Sequence, residues 1–309
     1  MKTKDSAGSD RTSLYTQVTD RIIAKLEAGR LPWVQPWDSA KASAGLPRNA
    51  GTGRAYSGIN VLILWATVIE RGYGRQAWLT YKQSEALGGH VRRGEQGTTI
   101  CYADRFTPKT EQARAAEQGD DARQVAFLKR FTVFNVDQCD GLPATLAGHI
   151  EPLATCEVIP HAEALIDATG ADLRIGGDRA FYAPSADFIA VPPPQAYHHA
   201  IDWYRTAFHE LGHWTGHASR LDRDLGSAVG ESWYAREELV AEMTSAFICA
   251  ELSIQPTVRH ADYIGSWLEV LRNDPRAIFR AASQASKAAD YLLAFRSADV
   301  ATPGAGEPS

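Results

Sequence analysis

The chain has 309 residues, 44% of them hydrophobic, which is enough to fill the cores of two globular domains. No apolar run reaches the roughly 18 residues of a membrane span, and the polar opening Met1–Arg11 lacks the apolar stretch of a signal peptide, so a cytoplasmic protein with no membrane partner is expected. The formal charge of −5 hides an asymmetry: residues 1–150 carry 20 Lys and Arg against 15 Asp and Glu, and residues 151–309 carry 12 against 22, which points to a polyanion partner for the first half only.

Four cysteines, Cys101, Cys139, Cys156 and Cys249, form no CxxC pair and read as reduced, small apolar residues rather than a thiolate metal site or a disulfide framework. In chain order, Leu14, Val18, Ile22, Ile23 and Leu26 repeat at helical spacing and stop at Gly29. The stretch Leu31–Trp37 follows, an extended loop because its prolines forbid a helix. A second helix is predicted over Ile59–Glu70, and a third begins at Thr80, where Thr80 and Gln83 form a capping box. Strands are predicted at Thr98–Ala103 and Phe127–Val136, with a polar, mobile loop over 108–124 between them.

Basic and aromatic residues interleave through this half: Trp33, Trp37, Arg48, Arg54, Tyr56, Asn60, Trp78, Tyr81, Lys82, Arg92 and Arg93. Such a mixture suits single-stranded DNA, because cations track phosphates while exposed rings stack on bases. A connector rich in Gly and Pro, 141–157, separates this domain (1–140) from a second (158–300), and a loose tail (301–309) closes the chain. The second domain opens with a helix near His161–Ala168 and short strands at Leu173–Ile175, Ala180–Ala183 and Phe188–Val191. Helices at Tyr263–Leu271 and Ala277–Phe295 end it. The expected fold class is α+β, with an α+β first domain and a mainly helical second domain that carries a small sheet.

Within Gln195–Trp214, a predicted helix with Pro192–Pro194 at its entry, stands His209-Glu210-Leu211-Gly212-His213. Histidines four residues apart lie one above the other on one helical face, so His209 and His213 can share a metal ion. Zinc would lower the pKa of a bound water to about 7, and Glu210 could take its proton. That combination points to a metallopeptidase. A third ligand is sought on the predicted helix Tyr234–Leu252, whose Thr244, Ser245, Ala246 and Ala250 allow close approach. Glu242 is chosen, with Glu238, one turn away, as the alternative ligand or the carboxylate that orients a histidine. His217 is disfavoured, because an HExxHxxGxxH site would need its histidine at the position of Ser219.

These residues resemble a known family. Tyr15–Trp37, Arg54–Asn60, Trp78 and Arg92–Glu95 resemble the amino-terminal domain of ArdC antirestriction proteins, a domain shared with plasmid primases of the TraC type and associated with single-stranded DNA. HELGHWTGH and EELVAEMTSAF resemble that family's zincin-like metallopeptidase domain. The resemblance implies a plasmid-borne protein that protects incoming conjugative DNA from host restriction, with His209, His213 and Glu242 as zinc ligands and Glu210 as general base. A non-catalytic shield over single-stranded DNA, with a structural zinc, is the alternative.

Overall fold

The computed structural model describes residues 6–33, 45–107, 125–146, 155–223, 231–254 and 263–297, with isolated positions 110, 114 and 225. Most of the expected loop 108–124, the expected tail and Trp37 lie outside the described residues. Helices α1 (Ser6–Glu27), α2 (Ile59–Arg71) and α3 (Tyr81–Ala86) arise where periodicity and capping predict them. The Thr80–Gln83 capping box is formed, and Gly29 past the end of α1 takes a φ of 68° that closes a helix without strain on a side chain.

Strands β1 (Arg48–Asn49), β2 (Ala77–Leu79), β4 (Thr98–Phe106) and β5 (Val125–Asn135) make a sheet in the order β1-β2-β5-β4; β3 (His90–Val91) pairs with β6 (Cys139–Asp140). Strands β4 and β5 form a long antiparallel ribbon in which Tyr102 faces Lys129 and Ile100 faces Phe131. Residues directly opposite in such a ladder share one face.

The second half carries helix α4 (Thr155–Ala168) and the three-stranded sheet β7 (Asp172–Ile175), β8 (Phe181–Ala183) and β9 (Phe188–Val191), in the order β7-β9-β8. Strand β8 is an edge. Helices α5 (Ala200–Trp214), α6 (Glu231–Glu251), α7 (Ile264–Asn273) and α8 (Ala277–Leu293) complete it. Helix α5 starts five residues after Gln195, because Pro194–Ala196 form a separate short 3₁₀ turn. One set of buried residues runs through both halves: Leu26 of α1, Leu64 of α2, Phe247 of α6 and Leu271 of α7 all belong to it. The rings of Trp33 and Trp267 meet edge to face at 5.3 Å, and those of Trp65 and Phe247 at 5.7 Å.

Helices α5 and α6 run antiparallel, since Ser245 Oγ donates to the carbonyl of Arg205 while Glu237 faces His213. They approach closely at Gly212, where a Cβ would sit 3.1 Å from Cα and 3.3 Å from the carbonyl of Ala241. Backbone, unlike a flexible side chain, cannot move aside locally, so Gly212→Ala must part the two helices. Overpacking costs about 1–3 kcal/mol, offset by the roughly 1 kcal/mol that alanine gains over glycine inside a helix. The expected result is a melting temperature lowered by a few degrees at most and a severalfold weaker divalent-metal affinity by titration. Unchanged metal affinity would show that this contact does not set the spacing of the site.

Candidate metal centre

Helix α5 places His209 and His213 one turn apart, with Nε2 atoms 3.2 Å from each other. Helix α6 brings Glu238 against both: one carboxylate oxygen is 3.4 Å from His209 Nε2, the other 3.4 Å from His213 Nε2. Atoms bound at 2.0–2.1 Å to one tetrahedral ion stand about 3.3–3.4 Å apart. The three residues therefore fit a single ion, and two imidazoles with one carboxylate are a donor set suited to zinc and its neighbours.

The expected third ligand, Glu242, is corrected by this geometry. Its Oε1 lies 3.6 Å from Nδ1 of His209, the ring nitrogen turned away from His213, so it cannot share an ion with both Nε2 atoms. One helical turn separates it from Glu238, and that turn is what moves it behind the ring. The other histidine has a matching carboxylate, since Glu237 Oε1 is 3.4 Å from His213 Nδ1. Arg223 fixes Glu237 at 2.7 Å, and its guanidinium also donates to the Gly212 carbonyl and Thr215 Oγ1, which ties this carboxylate to the end of α5. Neither Glu237 nor Arg223 was a candidate on sequence, because Arg223 lies in an aperiodic segment and Glu237 shares its acidic pair with Glu238.

The site is buried: His209 is 7% and Glu238 4% exposed. Burial opposes a charge on His213, but the carboxylates of Glu237 and Glu238 outweigh it and push its pKa up to about 10. Burial likewise opposes ionised Glu238, and hydrogen bonding to His209 and His213 overcomes it, holding this carboxyl well below the usual range. Such a nest of opposite charges is what a cation would enter by displacing a proton.

Two clefts, of about 670 and 350 Å³, flank the centre and share Arg179, Ala180, His209 and Glu210 in their walls. Together they form a trough over the site, with the edge strand β8 contributing Phe181 and Tyr182 on one side. Glu210 is 6% exposed and borders both clefts. Tyr234 and Tyr263 also line the trough, their hydroxyls 3.3 Å apart; burial, Tyr263 and the Glu238 carboxylate raise the pKa of Tyr234, which keeps it a donor. His217 stands apart from the cluster, its Nδ1 engaged with Ser219 at 2.8 Å.

The expected nucleic-acid residues fall into different settings: Arg48, Arg54 and Tyr56 share one loop, which Asn49 ties to Gln83 of α3, the helix that carries Tyr81 and Lys82. Trp33 and Trp78 are fully buried and cannot stack on bases, which corrects their assignment; each packs on another ring, Trp267 and Tyr73 respectively. Arg48 is ion-paired with Glu251 at 2.7 Å, and Arg92 with Glu95 and Asp140. Tyr56 packs against the core, and Asn60 hydrogen-bonds both backbone groups of Cys101, binding α2 to β4. Arg54, Tyr81, Lys82 and Arg93 remain on the surface. Two rings that the sequence does not single out are exposed as well: Tyr102, 51%, and Phe131, 45%, in edge-to-face contact at 6.0 Å.

Residues 12–134 match the family model of the N-terminal domain of the anti-restriction factor ArdC, and residues 160–284 match that of a zincin-like metallopeptidase. A DNA primase TraC of Escherichia coli is 42% identical over 301 residues, which cover 91% of this chain and 27% of the primase, so the chain spans about a quarter of that relative's length. The y4eC protein of Sinorhizobium fredii is 38% identical over 301 residues, 96% of either chain. The metal-free crystal structure of the antirestriction protein ArdC from plasmid R388 is similar at a TM-score of 0.76 and 42% identity, covering 92% of this chain and 98% of that one. The Mn(II)-bound structure of the same protein gives 0.75 and 41%, covering 93% and 99%. Among the described residues no helix is long and apolar enough to cross a membrane.

Proposed function

The chain belongs to the ArdC family of antirestriction proteins, and from that premise we propose that it is a zinc peptidase working on single-stranded DNA. The first half binds the strand, the second cleaves a host protein, and incoming conjugative DNA is thereby spared restriction in the cytoplasm of the recipient cell. Its second half is a zincin-like domain with a divalent-metal site. The observation that carries the peptidase reading is the triangle of His209, His213 and Glu238, with edges of 3.2–3.4 Å, beneath a trough open on both flanks. A structural zinc site is closed by four protein ligands; three protein ligands facing a cleft leave a position for chemistry.

A bound zinc would supply Lewis acidity and a water acidified to a pKa of about 7. The chain's own residues do the rest. Glu242 and Glu237 stand beside the Nδ1 atoms of His209 and His213, which selects the tautomer that leaves both Nε2 lone pairs for the ion. Glu210 accepts the proton of the water that attacks an amide and returns it to the leaving nitrogen. The Tyr234 hydroxyl is placed to donate to the oxyanion that develops, and the edge of β8 to hold the peptide extended by backbone hydrogen bonds.

Elemental analysis of the purified protein, paired with casein cleavage by the parent and by Glu210→Gln, tests the peptidase reading. The DNA reading rests on the family of the first half and its surplus of cations. Affinity for a dT oligonucleotide is expected to fall steeply with salt, log K losing about 0.7 per decade for every phosphate contacted. A flat salt dependence would remove single-stranded DNA as the partner.

A further inference from the structure

We propose that the strand lies in the groove between the β4–β5 ribbon and helix α8, so that the metallopeptidase half supplies part of the nucleic-acid site. This rests on the reading that the chain binds single-stranded DNA, and goes beyond it by placing the path across both halves. The groove, of about 630 Å³, is bounded by Tyr15 of α1, the start of α2, Tyr102 of β4, and Arg276, Phe279 and Arg280 at the start of α8. That volume lies within the usual range of ligand sites, about 300–1,000 Å³.

Its chemistry matches a strand of stacked bases on a charged backbone. Tyr15 and Phe279 meet edge to face at 4.6 Å on one wall, and the Arg276 guanidinium stands 5.2 Å from the Tyr15 ring centre. On the opposite wall Tyr102 is half exposed, and its neighbour Phe131 extends the ring surface along the ribbon. Lys129 is opposite Tyr102 in the ladder, hence on the same ribbon face as the two rings. Arg276 and Arg280 are one helical turn apart and exposed on the α8 side. Arg280 shares its charge with Asp274, and Arg276 brings a second guanidinium to the same wall.

Other basic surfaces fit less well. In the cleft between α1 and α2, Arg21 and Lys25 are both tied to Glu70 at 3.0 and 2.9 Å, and no aromatic ring lines it among the described residues. Exposed rings flanked by cations are the combination that holds single strands irrespective of sequence, because every base offers a face to stack on.

The test is fluorescence anisotropy of a labelled dT oligonucleotide on the full chain. Arg276→Ala with Arg280→Ala is expected to weaken binding at least tenfold at low salt and to flatten the plot of log K against log salt by about 0.7 for each phosphate no longer held. Replacing both by Lys should restore most of the affinity, and unchanged metal content shows that each variant is folded. Tyr102→Ala with Phe131→Ala should cost roughly tenfold on the dT strand and nothing on an abasic strand of the same length. Affinity equal to the parent's in both double alanine variants overturns the groove while leaving DNA binding itself standing. A parent chain that binds no oligonucleotide overturns the DNA reading, and the groove with it.

Discussion

Glu238→Ala is expected to strip the purified protein of its metal, whereas Glu242→Ala leaves a site that still fills at higher metal concentration. Two magnitudes separate the variants. Zinc held by four ligands is worth about 10–16 kcal/mol, so one ligand carries roughly 3–4 kcal/mol, a factor of a few hundred in affinity. A carboxylate that only orients a ligating histidine costs about 10- to 100-fold when removed. Glu238 has its two oxygens 3.4 Å from the two Nε2 atoms, and Glu242 stands 3.6 Å from a single Nδ1. Competition with a zinc chelator, read by elemental analysis, orders the variants. If Glu242→Ala proves the weaker binder, the ligand assignment is reversed.

Why the sequence points to helix α6 but not to the carboxylate that the structure sets against both rings follows from what it encodes locally. The i, i+4 spacing of His209 and His213 is a property of one helix and needs no knowledge of its neighbours. The third ligand comes from another element, and Glu238 and Glu242 lie on the same face of α6 one turn apart. Periodicity gives the face; it says nothing of how far one helix slides along the other. The helices meet at backbone distance where Gly212 faces Ala241, a contact made of two small residues with no periodic signal of their own. Small residues on α6 did announce close approach, and close approach is what the structure has.

Trp33 and Trp78 are misread from sequence for a different reason. Composition marks Trp33 and Trp78 as aromatic without telling a platform from a core, and burial decides in favour of the core at both. Arg48 and Arg92 look like phosphate contacts until their partners Glu251 and Asp140, 203 and 48 residues away, are in place. Tyr102 fell in a strand that was predicted, but its role depends on register: only the ladder sets Lys129 opposite it and Phe131 beside it. Elements were therefore legible where their signal is local, and sites only where one element supplies the chemistry.

Glu210→Gln separates the peptidase from a passive metal site. The amide keeps the shape and volume of the side chain and is no ligand, so the metal content should match that of the parent. It cannot accept a proton at neutral pH. General-base assistance contributes about 10²–10⁴ to a rate, and casein cleavage should fall by at least that factor. Antirestriction in a conjugating recipient is then the deciding measurement. If protection collapses together with cleavage, proteolysis of a host protein is how DNA is spared. If protection survives intact in a variant that holds metal and cuts nothing, the His209–His213–Glu238 centre serves the fold, and protection must come from coverage of the strand, which the Arg276 and Arg280 variants would then abolish.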